Sequence, residues 1–246
     1  FVVRSKPDGY TLLFGYGSGE DLVTPQLRKL PFDTFKDLVP VARLSVHSII
    51  VAVPTNSQFK SLREMIEWAK TEKKPITAAV STAAGSVDLV MRGIGKSAGI
   101  DVVPVPHSGG SQAVTSLIGS QTMMGGGHPS EIMPHVKAGR LRAIAVALPD
   151  RDPALPDIPT LKEEGVDFYT WGSVKGVAVP KDTPRETINA LADVFKKISE
   201  DAEFKKAMDG LLQPVMYQGP DDYAKFLQGA YGDYGKLIKD LNISLQ

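Results

Sequence analysis

The chain has 246 residues, of which 42% are apolar and 23% charged, with 28 basic against 28 acidic side chains and no cysteine. Such a composition belongs to a soluble globular protein able to bury one large domain or two lobes. It excludes thiol nucleophiles, disulfides and cysteine-metal centres, and the balanced charge argues against a nucleic-acid partner.

Phe1-Val2-Val3-Arg4 lacks the make-up of a signal peptide and reads as the middle of a chain; it runs straight into Pro7-Asp8-Gly9-Tyr10, a turn before a strand. Four apolar, strand-like runs then end in loops of small residues that lead into helices. They are Leu12–Phe14 into Gly15-Tyr16-Gly17-Ser18-Gly19, Ile76–Val80 into Ser81–Ser86, Val102–Val105 into His107–Ser111, and Met123-Met124 into Gly125-Gly126-Gly127-His128. Alternation of this kind defines an α/β protein. Helix starts carry unpaired N–H groups and partial positive charge, so several of them facing one cleft would hold a carboxylate.

Helices are expected after Ser61-Leu62-Arg63-Glu64, a capping box followed by an apolar face of Leu62, Met65, Ile66 and Ala69. Val87, Val90, Met91, Ile94 and Ala98 form the buried face of another, stopped by Gly99. Thr160–Glu163 opens a short helix ended by Gly165. Thr183-Pro184-Arg185-Glu186 combines a cap, a first-turn proline and a glutamate, with Ile188, Leu191, Ala192, Phe195 and Ile198 behind it. A long amphipathic helix runs from Pro220 through Leu241. Two β-branched segments ending in proline, Ser48–Pro54 and Ser173–Pro180, read as paired crossings between lobes. The domains expected from them are residues 1–50 with 175–246, and residues 51–174.

Little in the chain suits catalysis. His128, Glu131 and His135 would share a helical face and could hold a metal, but Pro129-Ser130 favours a helix that leaves His128 in the loop. No Gly-x-Ser-x-Gly elbow and no Gly-x-x-x-x-Gly-Lys-Ser/Thr loop is present. Glu20-Asp21, Glu163-Glu164 and Asp221-Asp222 read as solvated caps, and Tyr169 and Trp171 as either core or the wall of a cleft. A hydrolase or transferase using His107 or His128 with a loop serine stands as the alternative to simple ligand binding.

Several motifs follow one another in a distinctive order. They are Pro7-Asp8-Gly9-Tyr10-Thr11-Leu12-Leu13, then Leu30-Pro31-Phe32-Asp33 with Lys36-Asp37-Leu38, then His135–Val146, then Leu155-Pro156-Asp157-Ile158-Pro159-Thr160 with Glu164-Gly165. In this order, over essentially the whole chain, the sequence resembles the extracytoplasmic solute receptors of tripartite tricarboxylate transporters, the Bug family. The resemblance implies the type II periplasmic binding protein fold, two α/β lobes joined by crossing strands. It implies a periplasmic, monomeric receptor that binds a di-, tri- or aromatic carboxylate and passes it to membrane transporter subunits. No catalysis, cofactor or metal is implied. Carried onto matching positions, it places the ligand against Ser81, Thr82, Ala84, Gly85, Ser86, His107, Gly109, Gly110, Ser111 and Gly126, with Ser18 and Gly19 from the other lobe. Members as a rule carry a further strand, loop and helix ahead of the Pro-Asp-Gly-Tyr motif, which this sequence lacks. Many have Tyr-Lys-Gly-Gly where His107-Ser108-Gly109-Gly110 stands, and histidine near Asp88.

Overall fold

The computed structural model describes residues 1–17, 19–83 and 85–240, without the side chain of Glu20. The chain forms two units: unit 1 takes Phe1–His47 and the chain from Ser173 onward, and unit 2 takes Ser48–Gly172.

Unit 1 opens with the expected turn, in which the Tyr10 N–H donates to Asp8 Oδ1 at 3.1 Å and Gly9 takes φ +83°. Strand β1 is Leu13–Tyr16, so Gly15 and Tyr16 belong to the strand rather than to the loop after it. Two single-turn helices, α1 (Gly19–Leu22) and α2 (Thr24–Leu27), lead to the long strand β2 (Leu38–His47).

Unit 2 contains β3 (Ile50–Pro54), α3 (Leu62–Glu72), β4 (Ile76–Val80), α4 (Ser86–Ala98), β5 (Val102–Pro106), α5 (Gly110–Ile118), β6 (Met124–Gly127), α6 (Pro129–Lys137) and β7 (Leu141–Val146). Its sheet has the order β5-β4-β6-β3-β7, with β4 parallel to both β5 and β6. Back in unit 1 follow β8 (Ser173–Pro180), α7 (Arg185–Glu200), α8 (Ala202–Gly210), β9 (Val215–Gln218) and α9 (Pro220–Asp240). The unit 1 sheet is antiparallel throughout, in the order β1-β8-β2-β9.

The two β-branched segments are strands, but they do not pair with each other. β3 lies between β6 and β7, while β8 pairs with β1 and β2, from Leu38↔Pro180 to His47↔Ser173. Composition reveals a buried strand but not its partner, and the long strand β2, interrupted by Pro40 and Arg43, carries no such run.

The Met-Gly-Gly-Gly stretch is also a strand rather than a loop, and all four of its residues are buried. Side chains alternate between the faces of a strand, and the glycines leave room on both. A Cβ on Gly125 would lie 3.1 Å from Leu117 Cδ2 of α5, and one on Gly126 would lie 2.8 Å from Met91 Cε and 2.9 Å from Val87 Cγ1 of α4. Helices α5 and α4 therefore press onto opposite faces of β6. The face that α4 covers carries the core of Val51, Val53, Ile76, Ala78, Val80, Val90, Met91 and Ile94. In unit 1, Ile188, Ala192 and Phe195 of α7 pack on Val41, Ala42, Val177 and Val179. Tyr223 of α9 fills the space left by Gly17 and Gly176, and its hydroxyl donates to the Tyr16 carbonyl.

Local signals were read correctly at α3 and α4. Ser61 Oγ accepts the Glu64 N–H at 3.2 Å, and Gly99 closes α4 in the left-handed conformation at φ +66°. Two differ. Thr160 and Glu163 exchange hydrogen bonds of 2.7 and 3.2 Å, but only turns follow them. Thr183 Oγ1 donates backward to the Pro180 carbonyl at 2.7 Å, so α7 begins at Arg185 with Pro184 as its N-cap. Leu241 lies outside the described residues.

Gly126→Ala is expected to lower stability by about 1–3 kcal/mol, since the new methyl forces α4 outward; thermal or urea unfolding measures it. Glu163 provides a pH readout. Hydrogen bonds from Arg151 and from the Thr160 N–H lower its pKa from 4.5 to about 2. Its stabilising contribution is complete above the unfolded value and fades as pH falls through about 2. Carboxyl NMR titration should find that low midpoint, and Arg151→Met should raise it toward 4.5.

Candidate functional site

Because β5, β4 and β6 are neighbours running the same way, their carboxyl ends share one edge of the unit 2 sheet. A helix starts after each: α4 at Ser86, α5 at Gly110 and α6 at Pro129. The first N–H groups of a helix need partners from outside it. Side chains supply them at α3, through Ser61, and at α8, where Asp201 Oδ1 accepts the Phe204 N–H at 2.8 Å, but not at α2 or α7. At α6 the Glu131 carboxylate accepts the His128 N–H at 2.9 Å. The N-caps of α4 and α5 are Gly85 and Gly109, and neither helix has a side-chain cap. Gly109 sits at φ +151°, a conformation that favours glycine. Two bare helix tips on one edge form a chemically inert place for an anion.

Around these tips Ser81 and Ser86 are half-buried, while Thr82 and Ser111 are exposed. The His107 N–H donates to the Val80 carbonyl at 3.0 Å, and Nδ1 lies 3.3 Å from the same oxygen. The Ser108 N–H is taken by Gln112 Oε1 at 3.2 Å. A hollow of ≈ 280 Å³ opens beside His107 along α5, lined further by Ser111, Gln112, Thr115, Ser116 and Gln121. His128 caps β6 with Nδ1 3.2 Å from the Ser48 carbonyl. Both imidazoles thus direct Nδ1 toward backbone oxygen, which fixes a protonated Nδ1.

Ser81, Thr82, Gly85, Ser86, His107, Gly109, Gly110 and Ser111 all lie on this edge. Gly126 is a buried residue of β6, and a Cβ on it would meet Met91 and Val87 of α4. Gly19 begins α1 in unit 1. Ser18 and Ala84 lie outside the described residues. Asp88, in the first turn of α4, is buried and bonded to Arg92 Nε at 3.1 Å through both oxygens, so its charge is compensated within the helix. Among the described residues no cluster of three or more acidic or histidine side chains is placed to hold a metal.

Two residues of interest had no such role in the sequence reading, where Glu131 stood only as a possible metal ligand. Glu131 stands against Gly110 and Gly127, where either glycine's Cβ would meet its carboxylate; an acid three residues after His128 and two after a proline was the signal for it. The other is Lys175, the one charge within the apolar run Ser173–Pro180.

Known structures share this fold. One described as a periplasmic transporter is 30% identical, with a TM-score of 0.85 over 100% of this chain and 82% of its own. An R. palustris protein solved with adipate gives 0.84 at 22% identity, over 99% and 81%. The class that this fold and the family match define is the solute receptor, and the hydrolase or transferase alternative is not the family's. Residues 1–243 match the Tripartite tricarboxylate transporter family receptor, TctC. A UPF0065 protein of Bordetella bronchiseptica is 30% identical over 98% of this chain and 71% of its own length. The chain belongs to the TctC family of solute receptors.

Arg92→Met would leave the buried Asp88 carboxylate without its cation. A loss of about 1–3 kcal/mol in stability is expected, read by denaturant unfolding.

Proposed function

We propose that this receptor binds a small carboxylate, with one carboxylate group held by the backbone N–H groups at the starts of α4 and α5. The observation that carries the reading is the pair of glycine-capped helix tips on one sheet edge, neither closed by a side chain. Ser81, Thr82, Ser86 and Ser111 supply hydroxyls, and His107 borders the hollow at α5. The adipate in the R. palustris structure supports a dicarboxylic acid as ligand. The protein acts in the periplasm as a monomer, and delivers the acid to membrane subunits of a tripartite transporter. No described helix is long and apolar enough to cross a membrane.

Thermal unfolding against mono-, di- and tricarboxylates tests this. A true ligand at a hundredfold its dissociation constant adds about 2.7 kcal/mol of stability. A panel in which no acid raises the midpoint, while the protein remains folded, would overturn the assignment.

A further inference from the structure

Strand β5 closes one end of the unit 2 sheet, with β4 on one side and no strand on the other among the described residues. It reads Val-Val-Pro-Val-Pro, and Val103 is exposed. An edge strand rich in valine, with unpaired N–H and C=O groups, is a template on which another chain adds a strand. At the other end of the sheet the chain covers its own edge. There the Val146 N–H of β7 donates to the Pro159 carbonyl at 2.8 Å, and the Leu161 N–H donates to the Val146 carbonyl at 3.0 Å. No such segment lies along β5 among the described residues.

The backbone of β5 is arranged against such an addition. The Ile76 N–H donates to the Asp101 carbonyl at 2.9 Å, and the His107 N–H donates to the Val80 carbonyl at 3.0 Å. In a parallel ladder the N–H and C=O of one residue point to the same side, and those of the next residue to the other. Asp101, Val103, Val105 and His107 therefore turn toward β4, while Val102, Pro104 and Pro106 turn outward. Proline has no N–H to donate. Of the three outward positions only Val102 keeps a donor, so a strand laid here would leave its carbonyls against two pyrrolidine rings. The pairing with β4 loses nothing, because both prolines occupy positions that do not bond it. Moved by one residue, the same prolines would break that ladder.

We infer that Pro104 and Pro106 guard the open edge of unit 2, preventing a second copy of this chain from adding a strand to β5. The guard acts on backbone pairing alone and does not depend on which solute the receptor takes. Failure of the carboxylate reading would leave it standing.

The test compares the unsubstituted chain with the double variant Pro104→Val, Pro106→Val, which restores two outward N–H groups and keeps the strand apolar. Sedimentation over a concentration series should find the unsubstituted chain at the mass of one copy. The double variant should move toward two or more copies as its concentration rises. Hydrogen exchange then locates the contact: the new amides at positions 104 and 106 should exchange more slowly in the associated variant than in the dilute one. A folded variant that stays at one copy, or that associates without protecting those amides, overturns the inference. So does an unsubstituted chain that associates and protects its Val102 amide in doing so. Should the double variant not fold, Pro104→Val alone, which restores the donor midway along β5, is read by the same two measurements.

Discussion

The constraint on which unit 2 depends is the lack of side chains in β6. A central strand normally gains stability from large β-branched residues; Gly125-Gly126-Gly127 forgo it and pay in backbone entropy. The gain is proximity, because α5 reaches Gly125 on one face and α4 reaches Gly126 on the other at van der Waals distance. With both helices drawn onto the same short strand, their first turns come to the same edge of the sheet. The position of two bare helix tips thus follows from packing behind them, in the core.

That arrangement also explains why so few side chains carry chemistry. Backbone amides at a helix start donate hydrogen bonds without titrating and without a flexible arm to immobilise, and they have no reactive atom to offer the ligand. Histidines on the same edge are held to carbonyl oxygens, and the acid in the first turn of α4 is neutralised by Arg92. A receptor that must release its solute unaltered is well served by such a surface.

Much of this was legible in the sequence. Strand-to-helix alternation gave the α/β class, the capping box at Ser61 and the stop at Gly99 fixed two helices, and the ordered motifs pointed to the family. Less legible were facts that depend on partners distant in the chain. The glycine run after Met123-Met124 reads locally as a loop and becomes a strand only because β3 and β4 flank it and two helices need the space. β8 looked like a partner for β3, whereas its partners β1 and β2 lie far back in the chain. Local caps misled where a competing acceptor existed, as when the Pro180 carbonyl captured the Thr183 hydroxyl.

The place of β8 has a consequence for biosynthesis. It is an interior strand of the unit 1 sheet, yet it is translated after the whole of unit 2. In chain order β1 and β2 precede unit 2, and they lack the strand that lies between them until β8 follows. Unit 2, uninterrupted in sequence, can close its own core in the meantime. Unit 2 is therefore expected to close independently, while β1 and β2 stay open to other partners until β8 joins them.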